Sequence, residues 1–100
     1  MRTIALVLAL CAGVASAPAS VADPHLGRNL AATCANCHGT DGKVQGPELV
    51  SLAGLPANQI LSKLNEFKDG TRQATIMPQI VKGFSAEQLK LIADYFAKQR

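Results

Sequence analysis

Two thiols and an imidazole stand within five residues of one another in Cys34-Ala35-Asn36-Cys37-His38. A three-residue step on a helix is nearly one turn, so both thiols lie on one side. Each can then add to one vinyl group of a porphyrin, and the ring of His38 is carried under the iron as an axial ligand. C-x-x-C-H is the spacing that attaches c-type haem, and the histidine gives the pattern its specificity. Three other chemistries share some of these residues. A redox dithiol of the thioredoxin kind wants a preceding strand and a βαβ unit around it. A zinc site needs a fourth ligand, and the other histidine, His25, lies nine residues before Cys34. A structural disulfide leaves His38 without a role.

The second axial ligand is sought among few candidates. The chain has two methionines, and Met1 lies in a segment expected to be removed. Met77 follows His38 by 39 residues, in Ala74-Thr75-Ile76-Met77-Pro78-Gln79. Pro78 disfavours the α conformation at the residue before it, so Met77 is expected to be extended in a loop and free to point at a metal. A lone methionine is ordinarily core filler; here the iron needs a sixth ligand or an open site. His25 is the runner-up, as a bis-histidine ligand at the start of the helix that carries the cysteines.

Helices must position these groups. Asp23 can cap a first helix with Pro24 at its first position, and Leu26, Leu30 and Cys34 recur as an apolar stripe running into the motif. Gly27 weakens that helix in isolation, which suits a place where another helix approaches closely. Gly39 to Leu55 reads as a long glycine-rich loop, of the kind that wraps something. Pro56 opens a second helix with Ile60, Leu64 and Phe67 on one face and Gly70 as its stop. Residues 71–83 form the methionine loop, with room for one short turn after Pro78. Ser85 and Gln88 make a capping box for the last helix, Phe84 can staple against Leu89, and Leu89, Ile92, Ala93 and Phe96 form its buried stripe. No segment alternates as a strand does. The expectation is an all-α fold, three main helices around one covalently bound haem.

Of the 100 residues, 48% are apolar and 4% aromatic, which bounds the chain to one small domain. The apolar residues crowd the beginning: 16 of them fall in residues 1–22. Arg2, the apolar run Ile4–Ala15 and the small residues after it have the layout of a secretory signal, with cleavage expected after Ala22. The run covers about 18 Å as a helix, short of the ~30 Å bilayer core, so no membrane span is expected. Cys11 would leave with this segment. Residues 1–22 are thus read as a cleaved signal, 23–100 as the functional domain, and the periplasm of a bacterium as its location. From Asp23 onward nine basic residues face seven acidic ones, too small an excess for a nucleic-acid footprint.

With Gly27, the Cys34–His38 motif, the Gly46-Pro47-x-Leu49 turn, Met77 and the closing Tyr95-Phe96 pair in place, residues 23–100 resemble a small class I cytochrome c. The resemblance implies terminal helices that cross near Gly27 and Phe96. It also implies that the Pro47 carbonyl accepts from the free ring N–H of His38 and raises its basicity. The chain departs from many members in having no tryptophan. A narrower resemblance, to the cytochrome subunit of flavocytochrome c, a sulfide dehydrogenase, rests on Phe67-Lys68-Asp69-Gly70, Thr75-Ile76-Met77 and Ile80-Val81-Lys82-Gly83-Phe84-Ser85. Val81 and Phe84 differ there from that family's Ala and Tyr. It implies a flavoprotein subunit as electron donor, other cytochromes c as acceptors, and FAD on the partner chain alone. Ala35, Ile76, Pro78 and Gln79 would then ring the exposed haem edge. A free electron shuttle shares every residue of such a site. An open-site haem enzyme or gas sensor would lack the Met77 ligand.

Overall fold

The computed structural model describes residues 22–100, so the segment read as a signal lies outside it apart from Ala22. Four helices and no strand occur among the described residues: α1 (Leu26–His38), α2 (Ala57–Asp69), α3 (Met77–Val81) and α4 (Ala86–Ala97). A short turn, Thr40–Gly42, follows α1 directly. The expected all-α fold is present, with α3 as a small fourth element.

The helix starts follow from local chemistry. Ser85 Oγ accepts from Gln88 N at 3.1 Å while Gln88 Oε1 accepts from Ser85 N at 2.9 Å, so the expected capping box satisfies two of the first-turn N–H groups of α4. Pro56 caps α2, its carbonyl accepting from Gln59 N and Ile60 N at 3.0 and 3.1 Å. Gly70 ends that helix in the left-handed conformation. Two expectations are corrected. First, α1 begins at Leu26 and not at Pro24, because the Asp23 carboxylate accepts from His25 N at 2.8 Å and closes a separate turn ahead of the helix. Second, Met77 is not extended: it is the first residue of α3. Both Gln79 N and Ile80 N bond the Ile76 carbonyl, at 3.0 and 3.2 Å, so the turn asks nothing of Pro78, which has no N–H to give.

Packing centres on α4. Leu89, Ile92, Ala93 and Phe96 are all buried, as the stripe required, and Phe96 is wholly so. Both α1 and α2 pack on α4, and α3 packs on α2. The face that α1 buries differs from the expected Leu26 stripe: Leu26 is 41% exposed, while Ala31 is the buried residue. The reason is the crossing itself. A Cβ on Gly27 would lie 3.1 Å from the Leu91 carbonyl and 3.6 Å from Tyr95 Cβ, so the helices meet over small residues, Gly27 and Ala31, with Leu30 to one side. Ile60 and Leu64 bring α2 onto the same core, and Phe67, Met77 and Phe84 pack around it half-buried. Lys68 Nζ donates to the Phe84 carbonyl at 2.8 Å and ties the end of α2 to the approach to α4. Among the described residues no helix is long and apolar enough to cross a membrane.

Candidate functional site

Beside this core lies an open cavity of about 770 Å³, its mouth included. Helix α1 contributes Cys34 and His38, α2 contributes Ile60, Lys63, Leu64 and Phe67, and α4 contributes Ile92 and Phe96. Val50, Leu52 and Leu55 close it from the long loop, and Arg72 and Met77 from the segment after α2. The lining is overwhelmingly apolar, which suits a flat hydrophobic group and excludes water from it.

Cys34, His38 and Met77 therefore face one space, although 43 residues separate the first from the last. Cys34 is half-buried, and that burial pushes its thiol above the ordinary range, against a smaller opposing effect of a backbone hydrogen bond. Cys37, a turn further along, is exposed and outside the lining. His25 caps α1 from an exposed position and does not reach the cavity. Of the residues expected to ring the edge, Ile76 is 56% exposed and Gln79 is exposed, while Ala35 and Pro78 are half-buried.

The ring of His38 is pinned by one contact: its Nδ1 lies 2.7 Å from the Val50 carbonyl. Since a carbonyl can only accept, Nδ1 carries the proton, and the lone pair of Nε2 is left for a metal. This corrects the assignment of that role to Pro47, and the cause is tertiary. The Gly42 carbonyl accepts from Leu52 N (2.8 Å), Ala53 N (3.2 Å) and Ser51 Oγ (2.8 Å). Residues 51–53 are thereby clamped to the turn that immediately follows His38, which brings the carbonyl just before them, that of Val50, onto the ring. Pro47 stays in an exposed bend three residues earlier. Gly42 is required at the clamp: φ is +79°, and a Cβ there would sit 2.8 Å from Phe96 Cδ1 and 2.9 Å from Ala53 N.

The competing chemistries fit less well. The motif follows an unbroken helix and not a strand, unlike a thioredoxin-type dithiol. Among the described residues no three His, Cys, Asp or Glu side chains converge as a closed zinc site requires. An iron porphyrin fits what is present: an apolar slot, a thiol on its wall, an imidazole held with Nε2 free, and a thioether. Sequence reasoning missed Val50, Lys63 and Arg72. A carbonyl has no residue signature, and the two cations read as ordinary helix-surface charge.

Residues 23–96 match the family model described as "Cytochrome C oxidase, cbb3-type, subunit III". The chain is 40% identical over 70 residues to "Cytochrome subunit of sulfide dehydrogenase" of Chlorobaculum tepidum, covering 70% of this chain and 63% of that protein. It is 32% identical to "Cytochrome c4" of Pseudomonas aeruginosa over its whole length and 50% of that protein's. With "Cytochrome c-553" of Nitratidesulfovibrio vulgaris it shares 33% identity, over 98% of this chain and 99% of the relative. The chain thus spans under two thirds of the first two relatives and nearly all of the third.

Proposed function

Because the chain belongs to the class I c-type cytochromes, electron-transfer proteins that carry covalently bound haem c, we propose that it takes single electrons from the flavin of a partner sulfide dehydrogenase chain. It passes them to another cytochrome c in the periplasm, through one haem held by Cys34, Cys37, His38 and Met77. The convergence of Cys34, His38 and Met77 on one apolar cavity is the observation that supports this reading.

A bound haem supplies one-electron chemistry, its iron alternating between ferric and ferrous states. The residues do the rest. Cys34 and Cys37 add their S–H bonds across the vinyl groups and anchor the group covalently. Val50 holds the His38 Nδ1 proton, which keeps the neutral tautomer, orients Nε2 and strengthens its donation. Met77 offers a thioether sulfur, a soft ligand that favours the ferrous state and raises the potential. Ile60, Leu64, Ile92 and Phe96 keep water away, which favours the less charged, reduced iron as well. No residue of the cavity serves as a general acid or base toward a substrate, so the oxidation of sulfide belongs to the partner chain, which also carries the FAD.

The 40% identity to a sulfide dehydrogenase cytochrome subunit supports the flavoprotein partner. A second reading, a free shuttle serving several donors, is favoured by the end-to-end match to a cytochrome c-553 of nearly the same length. Gentle purification of the native protein, with flavin and haem quantified in the eluted fraction, separates them. The subunit reading predicts near-equal flavin and haem in one complex, with the haem reduced rapidly by sulfide. Haem alone, in a monomer that sulfide reduces slowly, would contradict it and leave the shuttle.

A further inference from the structure

Two cations, Lys63 and Arg72, interrupt the otherwise apolar cavity wall, both contributed by α2 and the segment that follows it. Arg72 is held in place by its own surroundings. Its backbone N–H donates to the Glu66 carbonyl at 3.1 Å, folding the chain back onto the last turns of α2. Thr71 N donates to Asp69 Oδ1 at 3.0 Å and braces the same bend. The guanidinium then lies 5.9 Å from the centre of the Phe67 ring, itself part of the cavity wall. Its Nε donates to Glu66 Oε2 at 2.6 Å.

That ion pair is 44% and 36% exposed, a setting in which such pairs contribute little to stability. What it does is orient. With Nε committed to Glu66, the two terminal nitrogens of Arg72 remain as a fork with matching carboxylate geometry. Glu66 itself is not part of the cavity lining, and Lys63 makes no hydrogen bond or ion pair among the described residues. Haem is a dianion at neutral pH, its two carboxylates sitting on the porphyrin edge away from the vinyl groups. Anchoring the vinyl edge to Cys34 and Cys37 on α1 directs the carboxylates away from that helix. The two unspent cations of the cavity stand across from it, on and just after α2.

Resting on the haem reading above, we infer that Arg72, positioned by Glu66, and Lys63 form the carboxylate-binding end of the cavity and hold the haem propionates. The two cations offset the propionate charge beside the iron, so losing either favours the ferric state and lowers the potential.

The test uses the full chain matured with its haem. Arg72→Gln, Arg72→Lys and Lys63→Gln are compared with Lys98→Gln, a cation outside the cavity lining. Resonance Raman reads the propionate-bending mode, which reports contact at the carboxylates themselves, and a redox titration reads the potential. The expected result is a shifted bending mode and a lowered potential in Arg72→Gln and Lys63→Gln. Arg72→Lys should keep more of the potential than of the mode, because it keeps the charge and loses the fork. Lys98→Gln should match the wild type. If Arg72→Gln does not mature, Lys63→Gln and Glu66→Gln, which frees the Arg72 side chain, carry the same readout. Wild-type bending mode and potential in these variants, with covalent haem and axial ligation intact, would overturn the inference while leaving the haem reading standing. A wild-type chain without covalent haem would overturn both.

Discussion

Where α1 crosses α4 the chain is closed by its own side chains; where α2 faces the methionine segment it is not. On the first side Gly27 sits against the Leu91 backbone, and Ala31, Ile92, Ala93 and Phe96 leave almost nothing accessible. On the second, Val50 is 61% exposed and Ile76 56%, and the apolar side chains between them line a hollow. One side is a finished core and the other half of one. A domain of under about 80 residues seldom stabilises itself without a staple, and a covalently held porphyrin would complete the unfinished half.

The largest effect expected from that contrast is loss of the staple. Cys34→Ala/Cys37→Ala should contain no covalent haem and be largely unfolded; a cooperative thermal melt of the double variant would show that the closed half suffices alone. Next comes the one side chain both halves share. Phe96 is wholly buried and also lines the cavity, so Phe96→Ala should cost about 3–5 kcal/mol in denaturant titrations of the haem-loaded protein, much of a small domain's stability. A loss below about 1 kcal/mol would mean that the bound group, and not Phe96, joins the halves.

A smaller effect concerns the strut between α4 and the clamp turn. The Tyr95 hydroxyl donates to Asp41, and that hydrogen bond, with burial and the Asp41 charge, pushes its ionisation above the ordinary tyrosine range, while Arg28 pulls weakly the other way. A group whose folded pKa is raised stabilises the fold below its unfolded value, about 10, and loses that contribution as pH rises through the folded value. Tyr95→Phe should therefore cost roughly 0.5–1 kcal/mol near neutrality, and the gap to wild type should close at alkaline pH. A gap that persists or widens there would assign Tyr95 to packing alone. Ser85→Ala, at the cap of α4, should cost about 1 kcal/mol or less and leave the haem spectrum untouched, since the cap is remote from the cavity.

The sequence was most legible where chemistry is local. Cys34, Cys37 and His38 are contiguous, and the Ser85–Gln88 box is complete within four residues, so neither needed the tertiary fold to be read. Positions decided by distant contacts were read wrongly. Val50 replaces Pro47 at the His38 ring because three donors converge on the Gly42 carbonyl, a clamp that spacing does not reveal. The buried face of α1 follows its small residues and not its leucines, because a close helix crossing selects for small side chains. Met77 opens a helix despite the proline after it, since a first turn has no use for that N–H. Arg72 gains meaning only once the chain has folded back onto Glu66.

The far-red sulfur-to-iron band of the ferric protein, recorded for wild type and Met77→Ala alongside the intact mass, tests the central claim most directly. The account predicts one covalently bound haem in both proteins, with the band present in the wild type and absent from the variant. A band missing from the wild type, or surviving in Met77→Ala, would contradict ligation by Met77 and with it the His38–Met77 electron-transfer site.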